Sequence, residues 1–132
     1  MGIDPPCVER VIHFGVPRKM EHYQQETGRA GRNGKFATAT MYYNSNDIAA
    51  NLEGMDDSMR NLCRNPNLKC RRETILTYFN FSLERGGQPL HLCCDICRKR
   101  CNCDICLLSD SLTEVTCNEG ATLVDDYHHV AP

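Results

Sequence analysis

Apolar and polar positions alternate legibly over the first third of the chain. Val11-Ile12-His13-Phe14 is a short apolar run closed by Gly15 and Pro17, which predicts a buried strand. Met20 to Ala30 has helical spacing without a strong apolar stripe and runs into the glycine-rich turn Gly31-Arg32-Asn33-Gly34. From Phe36 to Tyr43 the pattern alternates around Thr38, Thr40 and Tyr42, in a β-branched and aromatic stretch that predicts a second strand. Strand, helix and strand at this spacing suit the edge of a parallel sheet, so the fold class is α/β.

Further along the period changes. Asp47 is placed to cap a helix running through Ile48, Leu52, Met55, Met59 and Leu62. A second helix is expected from Cys70 to Phe81, with Ile75, Leu76 and Phe79 on its apolar face. Gly86-Gly87 opens a loop, and a cysteine-rich stretch follows. Residues 107–132 lack clear periodicity and are expected to be an acidic, poorly ordered tail.

At 132 residues the chain holds one ordinary domain or two small pieces. It is 41% apolar and 24% charged, which excludes wholesale disorder. No apolar run approaches the roughly 18 residues of a membrane span, and the N-terminal stretch has no apolar signal region. An intracellular protein with no membrane partner is therefore expected. Ten cysteines in such a chain, several in Cys-x-x-Cys spacing, favour a metal site over a disulfide scaffold. The net charge of −2 hides an asymmetry: residues 109–132 carry five acids and no Lys or Arg, so the rest is net basic. Arg71 and Arg72, then Arg98, Lys99 and Arg100, form clusters that could meet nucleic-acid phosphates.

Two constellations carry chemistry. In Gln25-Glu26-Thr27-Gly28-Arg29-Ala30-Gly31-Arg32-Asn33-Gly34, the two arginines stand three apart on nearly one helical face. Small residues around them let the backbone approach another surface. Planar, always-charged guanidinium groups suit phosphate oxygens, and an arginine presented this way can stabilise charge developing on a γ-phosphate. In the second constellation, Cys94-Asp95-Ile96-Cys97 offers one edge of a thiolate tetrahedron for Zn²⁺, and the distant Cys70 offers another corner. The fourth ligand is Cys93 or His91; the softer thiolate favours Cys93. Cys103-Asp104-Ile105-Cys106 repeats the turn nine residues later. With Cys101 it could clamp the same metal, hold another ion, or remain unused.

The string QETGRAGRNG resembles motif VI of superfamily-two helicases in the form used by the RecQ family. Met1-Gly2-Ile3-Asp4-Pro5-Pro6 is similar to the end of that family's motif V, and Cys70-Arg71-Arg72-Glu73-Thr74-Ile75-Leu76 is similar to its zinc-domain helix. The likeness spans roughly residues 1–97. It implies that residues 1–46 are the C-terminal part of a second RecA-like helicase lobe and that residues 47–106 are a helical zinc-binding subdomain. It also implies that Arg32 is the arginine finger and Arg29 its companion at the nucleotide, with Gln25 near the nucleotide and the lobe interface. Gly2 and Asp4 would couple nucleotide state to the DNA backbone. The zinc ligands would be Cys70, Cys93, Cys94 and Cys97. The implied activity is ATP-dependent 3′-to-5′ DNA unwinding in replication, recombination and repair, with DNA, ATP and Mg²⁺ as partners and a nuclear location in a eukaryote.

A phosphate cradle of the G-x-x-x-x-G-K-[ST] type and a DE-x-H motif are absent from these residues. The chain is therefore expected to be a fragment, with no ATP hydrolysis of its own. Two other readings are a non-catalytic zinc module that binds nucleic acid or protein, and a regulatory subunit lending Arg32 in trans.

Overall fold

The computed structural model describes residues 8–32, 34–110 and 122–128. Over them the chain is a mixed helix and strand structure with one small sheet, in the order β1 (Arg10–Phe14), α1 (Met20–Thr27), β2 (Ala37–Tyr43), α2 (Asp57–Arg64), α3 (Arg71–Tyr78), α4 (Asp95–Lys99), α5 (Asp104–Asp110) and β3 (Thr122–His128). Strands β1 and β2 run parallel, with Arg10 opposite Thr38 and Phe14 opposite Tyr42. This is the strand–helix–strand unit expected from the periodicity. Strand β3 lies antiparallel on the other side of β2, from Ala37 opposite His128 to Tyr43 opposite Thr122.

Along β2 the expected alternation is present. Ala37, Ala39, Met41 and Tyr43 are buried, while Thr38, Thr40 and Tyr42 face away from the core. Strand β1 corrects one expectation: its buried position is His13, whereas Ile12 is 45% and Phe14 87% exposed. The reason is the pleat, which sends neighbouring side chains to opposite faces. His13 falls on the face covered by α1, with its ring 5.3 Å from that of Tyr23 and its Nε2 2.7 Å from Glu26 Oε2. Phe14 falls on the other face and stacks on Tyr42, ring centroids 5.7 Å apart.

The helix expected from Asp47 is broken in two. Asn44, not Asp47, caps a short 3₁₀ turn over Ser45–Ile48: its side chain accepts from the Asn46 and Asp47 amides, and the Asp47 carboxylate accepts from the Asn44 amide. Arginines then capture the carbonyls a continuous helix would have used. Arg60 donates to Ala49 and Leu52 (3.2 and 2.9 Å), and Arg64 donates to Ile48 (3.1 Å). Gly54, at φ +73°, turns the chain back before α2 begins. The apolar residues of the pattern still point inward. Ile48, Met55, Met59 and Leu62 join Met20, Tyr23, Met41, Tyr43, Cys63 and Ile75 in one methionine-rich core. A second, smaller core forms from Cys70, Cys94, Ile96 and Cys97, with Leu83, Leu90 and Cys93 against it.

Of the segment expected to be a poorly ordered tail, residues 107–110 and 122–128 are among those described. α5 extends through the start of that segment and β3 lies within it. β3 completes hydrogen bonding along the open edge of β2, a non-local pairing that periodicity within the tail does not announce. No helix among the described residues is long and apolar enough to cross a membrane.

Candidate functional site

The arginine segment sits where α1 ends. Thr27 turns its hydroxyl back onto the Tyr23 carbonyl (2.9 Å), and the Gly28 amide closes the last helical bond to Gln24 (2.9 Å). A Cβ on Gly28 would come within 2.9 Å of the Gln24 carbonyl oxygen, so glycine is required by close backbone approach. Ala30 is fully buried, and the Gly31 amide, at φ +69°, donates to Val8 (3.0 Å) just ahead of β1. The turn is thereby pinned to the sheet while Gln25, Arg29 and Arg32 remain exposed. Arg32 Nε lies 3.4 Å from the Gly28 carbonyl. The result is a fixed backbone presenting two cationic side chains outward. Gly2 and Asp4 lie outside the described residues.

The first cysteine cluster is assembled from α3 and α4. Cys70 immediately precedes α3 and Cys94 immediately precedes α4, with Cys97 in the first turn of α4 and Cys93 beside Cys94. Their four sulfurs all lie within 4.8 Å of one another. Cys70 and Cys93 are 3.5 Å apart and Cys70 and Cys94 4.0 Å. A tetrahedron with Zn–S bonds of about 2.3 Å has edges of about 3.8 Å, so the spacing fits a single ion and far exceeds a disulfide bond. Hydrogen bonds from Cys93 and then Cys94 hold the Cys70 thiol down at about 3, and the same contact with Cys70 pushes Cys93 up. Arg85, whose Nη1 is 3.8 Å from Cys97 Sγ, has its own pKa raised by that sulfur.

His91, the alternative fourth ligand, stands elsewhere. Its Nδ1 is 3.2 Å from Cys103 Sγ and 3.5 Å from Cys101 Sγ, and with Cys106 these atoms make a second group within 4.8 Å of one another. Both groups could hold a metal ion.

The basic residues separate by environment. Arg98, Lys99 and Arg100 are exposed, and Arg100 also reaches the Leu68 carbonyl (2.9 Å). Arg72 is half-buried. Arg71 corrects the expectation of a phosphate-facing arginine. It is only 4% exposed, with Nε donating to Asp95 Oδ1 (2.7 Å), Nη2 to Asp95 Oδ2 (3.1 Å) and Nη1 to the Leu62 carbonyl. One guanidinium thus ties α3 to α4 and to the end of α2. The partner Asp95 was overlooked from sequence, although it adjoins Cys94 in the repeated Cys-Asp-Ile-Cys turn.

Comparison with known proteins finds a helicase-domain match over residues 1–34 and similarity to helicases over most of the chain. The family described as "Helicase conserved C-terminal domain" matches residues 1–34, which include Gln25, Arg29 and Arg32. The chain is 37% identical over 119 residues to "ATP-dependent helicase SGS1" of Saccharomyces cerevisiae, covering 77% of this chain and 8% of that protein. It is 33% identical over 117 residues to "RecQ-like DNA helicase BLM" of Xenopus laevis, covering 74% and 8%. It is 31% identical over 134 residues to "ATP-dependent DNA helicase Q-like 2" of Arabidopsis thaliana, covering 94% and 17%. The chain therefore spans less than a fifth of the length of these relatives. No solved structure matches it. On the strength of these likenesses, the chain carries part of a helicase C-terminal domain and is similar to a short stretch of each of these larger RecQ-type helicases.

Proposed function

We propose that this chain supplies the nucleotide-sensing edge and the metal-braced module of an ATP-dependent DNA helicase. Residues 1–46 are the C-terminal part of the second RecA-like lobe, and residues 47–106 are the zinc-binding subdomain. Arg32 is the arginine finger and Arg29 its companion. Their guanidinium groups neutralise the charge that spreads over the γ-phosphoryl oxygens as the bond to the leaving oxygen loosens. ATP, held by the first lobe with Mg²⁺, supplies the phosphoryl group whose transfer to water drives movement. Gln25 lies along the same interface, and Gly2 and Asp4 link it to the DNA backbone. The observation that carries this reading is the exposed Arg29–Arg32 turn, anchored to the sheet through Gly31 and lying within the helicase match.

Zn²⁺ is the ion proposed for Cys70, Cys93, Cys94 and Cys97. Four thiolates at tetrahedral spacing suit a structural zinc and leave no open position for catalysis. Its binding energy adds to a small cysteine core that buries little apolar surface. Arg98, Lys99 and Arg100 are proposed to meet DNA phosphates, with Arg72 at the margin of that surface. In the complete protein the activity is 3′-to-5′ unwinding in a nuclear setting.

A chimaera tests the catalytic part. The corresponding stretch of the yeast relative is replaced by residues 1–106 of this chain, and DNA-stimulated ATP hydrolysis is measured. Retained turnover that drops by about 10³-fold or more on Arg32→Ala is expected. Turnover indifferent to Arg32→Ala, or a folded, ATP-binding chimaera with none, would remove the assignment.

A further inference from the structure

The repeated turn that the helicase reading leaves unused builds a second site. We propose that His91, Cys101, Cys103 and Cys106 bind a second Zn²⁺, separate from the Cys70 site and holding α5 and the Arg98–Arg100 turn in place.

Geometry comes first. With Zn–S bonds of about 2.3 Å and Zn–N bonds of about 2.0–2.1 Å, a tetrahedral site has N···S edges of about 3.5 Å. His91 Nδ1 stands 3.2 Å from Cys103 Sγ and 3.5 Å from Cys101 Sγ. The three sulfurs and the nitrogen all lie within 4.8 Å of one another. The sulfurs of Cys101, Cys103 and Cys106 are thiols rather than halves of disulfides. A Cys₃His set is a common donor set for structural zinc, and thiolates with one imidazole select it over Mg²⁺ or Ca²⁺.

Local structure repeats as well as sequence. In Cys94-Asp95-Ile96-Cys97 the first cysteine precedes a helix and the last lies in its first turn. Cys103-Asp104-Ile105-Cys106 is built the same way at the start of α5. Each turn grips one edge of a tetrahedron. The two ligand sets share no residue, so the arrangement is two mononuclear sites rather than one thiolate-bridged cluster.

The ligands interleave along the chain. Cys70 belongs to the first site, His91 to the second, Cys93, Cys94 and Cys97 to the first, and Cys101, Cys103 and Cys106 to the second. The residues between the two ions' ligands on the later side are Arg98, Lys99 and Arg100. Both ends of the basic turn are thereby fixed by metal.

The environments differ. Ile96 is 5% exposed, whereas Ile105 is 70%, Leu107 57% and Leu108 69% exposed. The second site lacks the apolar jacket of the first, so its ion exchanges faster.

Native mass spectrometry of the full chain produced with zinc tests the count. Two Zn²⁺ per chain are expected, falling to one in Cys103→Ser/Cys106→Ser and in His91→Ala. Cobalt substitution gives a second readout independent of those variants' folding. Saturation of the unaltered chain should require two equivalents, the later-filling one adding the charge-transfer absorption of three thiolates rather than four. A chelating dye should withdraw one zinc quickly and the other slowly, and the fast phase should vanish in Cys103→Ser/Cys106→Ser. Saturation of the unaltered chain at one ion, lost on Cys94→Ser and kept in Cys103→Ser/Cys106→Ser, would overturn the second site and leave the first standing. A chain that binds no zinc would overturn both.

Discussion

Arg71 shows how one side chain can be misjudged when read without its neighbours. Next to Arg72, and in a basic cluster, it looked like a phosphate contact. In the fold its guanidinium is spent on the Asp95 carboxylate and the Leu62 carbonyl, and its side chain is 5% exposed. Removing one member of a buried pair leaves the other without compensation, which typically costs about 3–5 kcal/mol. Arg71→Ala should therefore lower the urea unfolding free energy of the zinc-loaded chain by roughly 3 kcal/mol. Arg71→Lys should recover only part of it, since an ammonium cannot span both carboxylate oxygens. A loss below about 0.5 kcal/mol, the usual size for a surface change, would show the pair to be incidental. Sequence pattern could not reveal this partnership, because Asp95 lies 24 residues away and only the folded path of the chain brings it near. The exposed side chains of Arg29 and Arg32 were legible for the opposite reason: glycine and alanine around them are local marks of a pinned turn.

At the scale of elements, β1 and β2 were legible, β3 was not, and the helices were only partly so. β2 alternates with a period that the pleat imposes residue by residue. The helix expected through residues 47–62 failed because Arg60 and Arg64, from a later turn, hold the carbonyls of residues 48–52, a competition invisible to apolar spacing. Between α1 and α3 the sheet-side and cysteine-side halves also meet through a polar contact, with the Tyr78 hydroxyl donating to Glu21 Oε1 at 2.7 Å. This hydrogen bond holds the Glu21 carboxyl below its usual range and raises the Tyr78 phenol. A carboxyl lowered on folding stabilises the fold above its unfolded pKa, and that contribution disappears as pH falls through the folded value. Tyr78→Phe should move the Glu21 titration, followed by NMR of its side-chain carbonyl, back up toward the ordinary carboxylate range. An unmoved titration would mean that the contact is not kept in solution.

For the whole molecule, two cores of different chemistry stand side by side. The methionine-rich core joins α1, β2, α2 and α3 by apolar packing. The cysteine core has little apolar surface and, on the proposed reading, draws its stability from bound ions. Chelation should therefore act unevenly. Hydrogen-exchange protection should fall first across residues 90–108 and be retained longer in β2, and simultaneous loss in both would mean that the cores open as one unit. The Cys-x-x-Cys repeat made the metal chemistry legible, whereas the assignment of His91 to one group or the other required the path of residues 98–106. That path carries a consequence for how such a chain can change. The span from Tyr78 to Leu90 includes Gly86 and Gly87, both at positive φ in a turn closed by the Gln88 amide donating to the Arg85 carbonyl (2.9 Å), and can absorb added residues at small entropic cost. The tripeptide between Cys97 and Cys101 has no such latitude. An inserted residue there would swing one ligand set out of register with the other, so length variants should accumulate ahead of His91 and be purged behind Cys97.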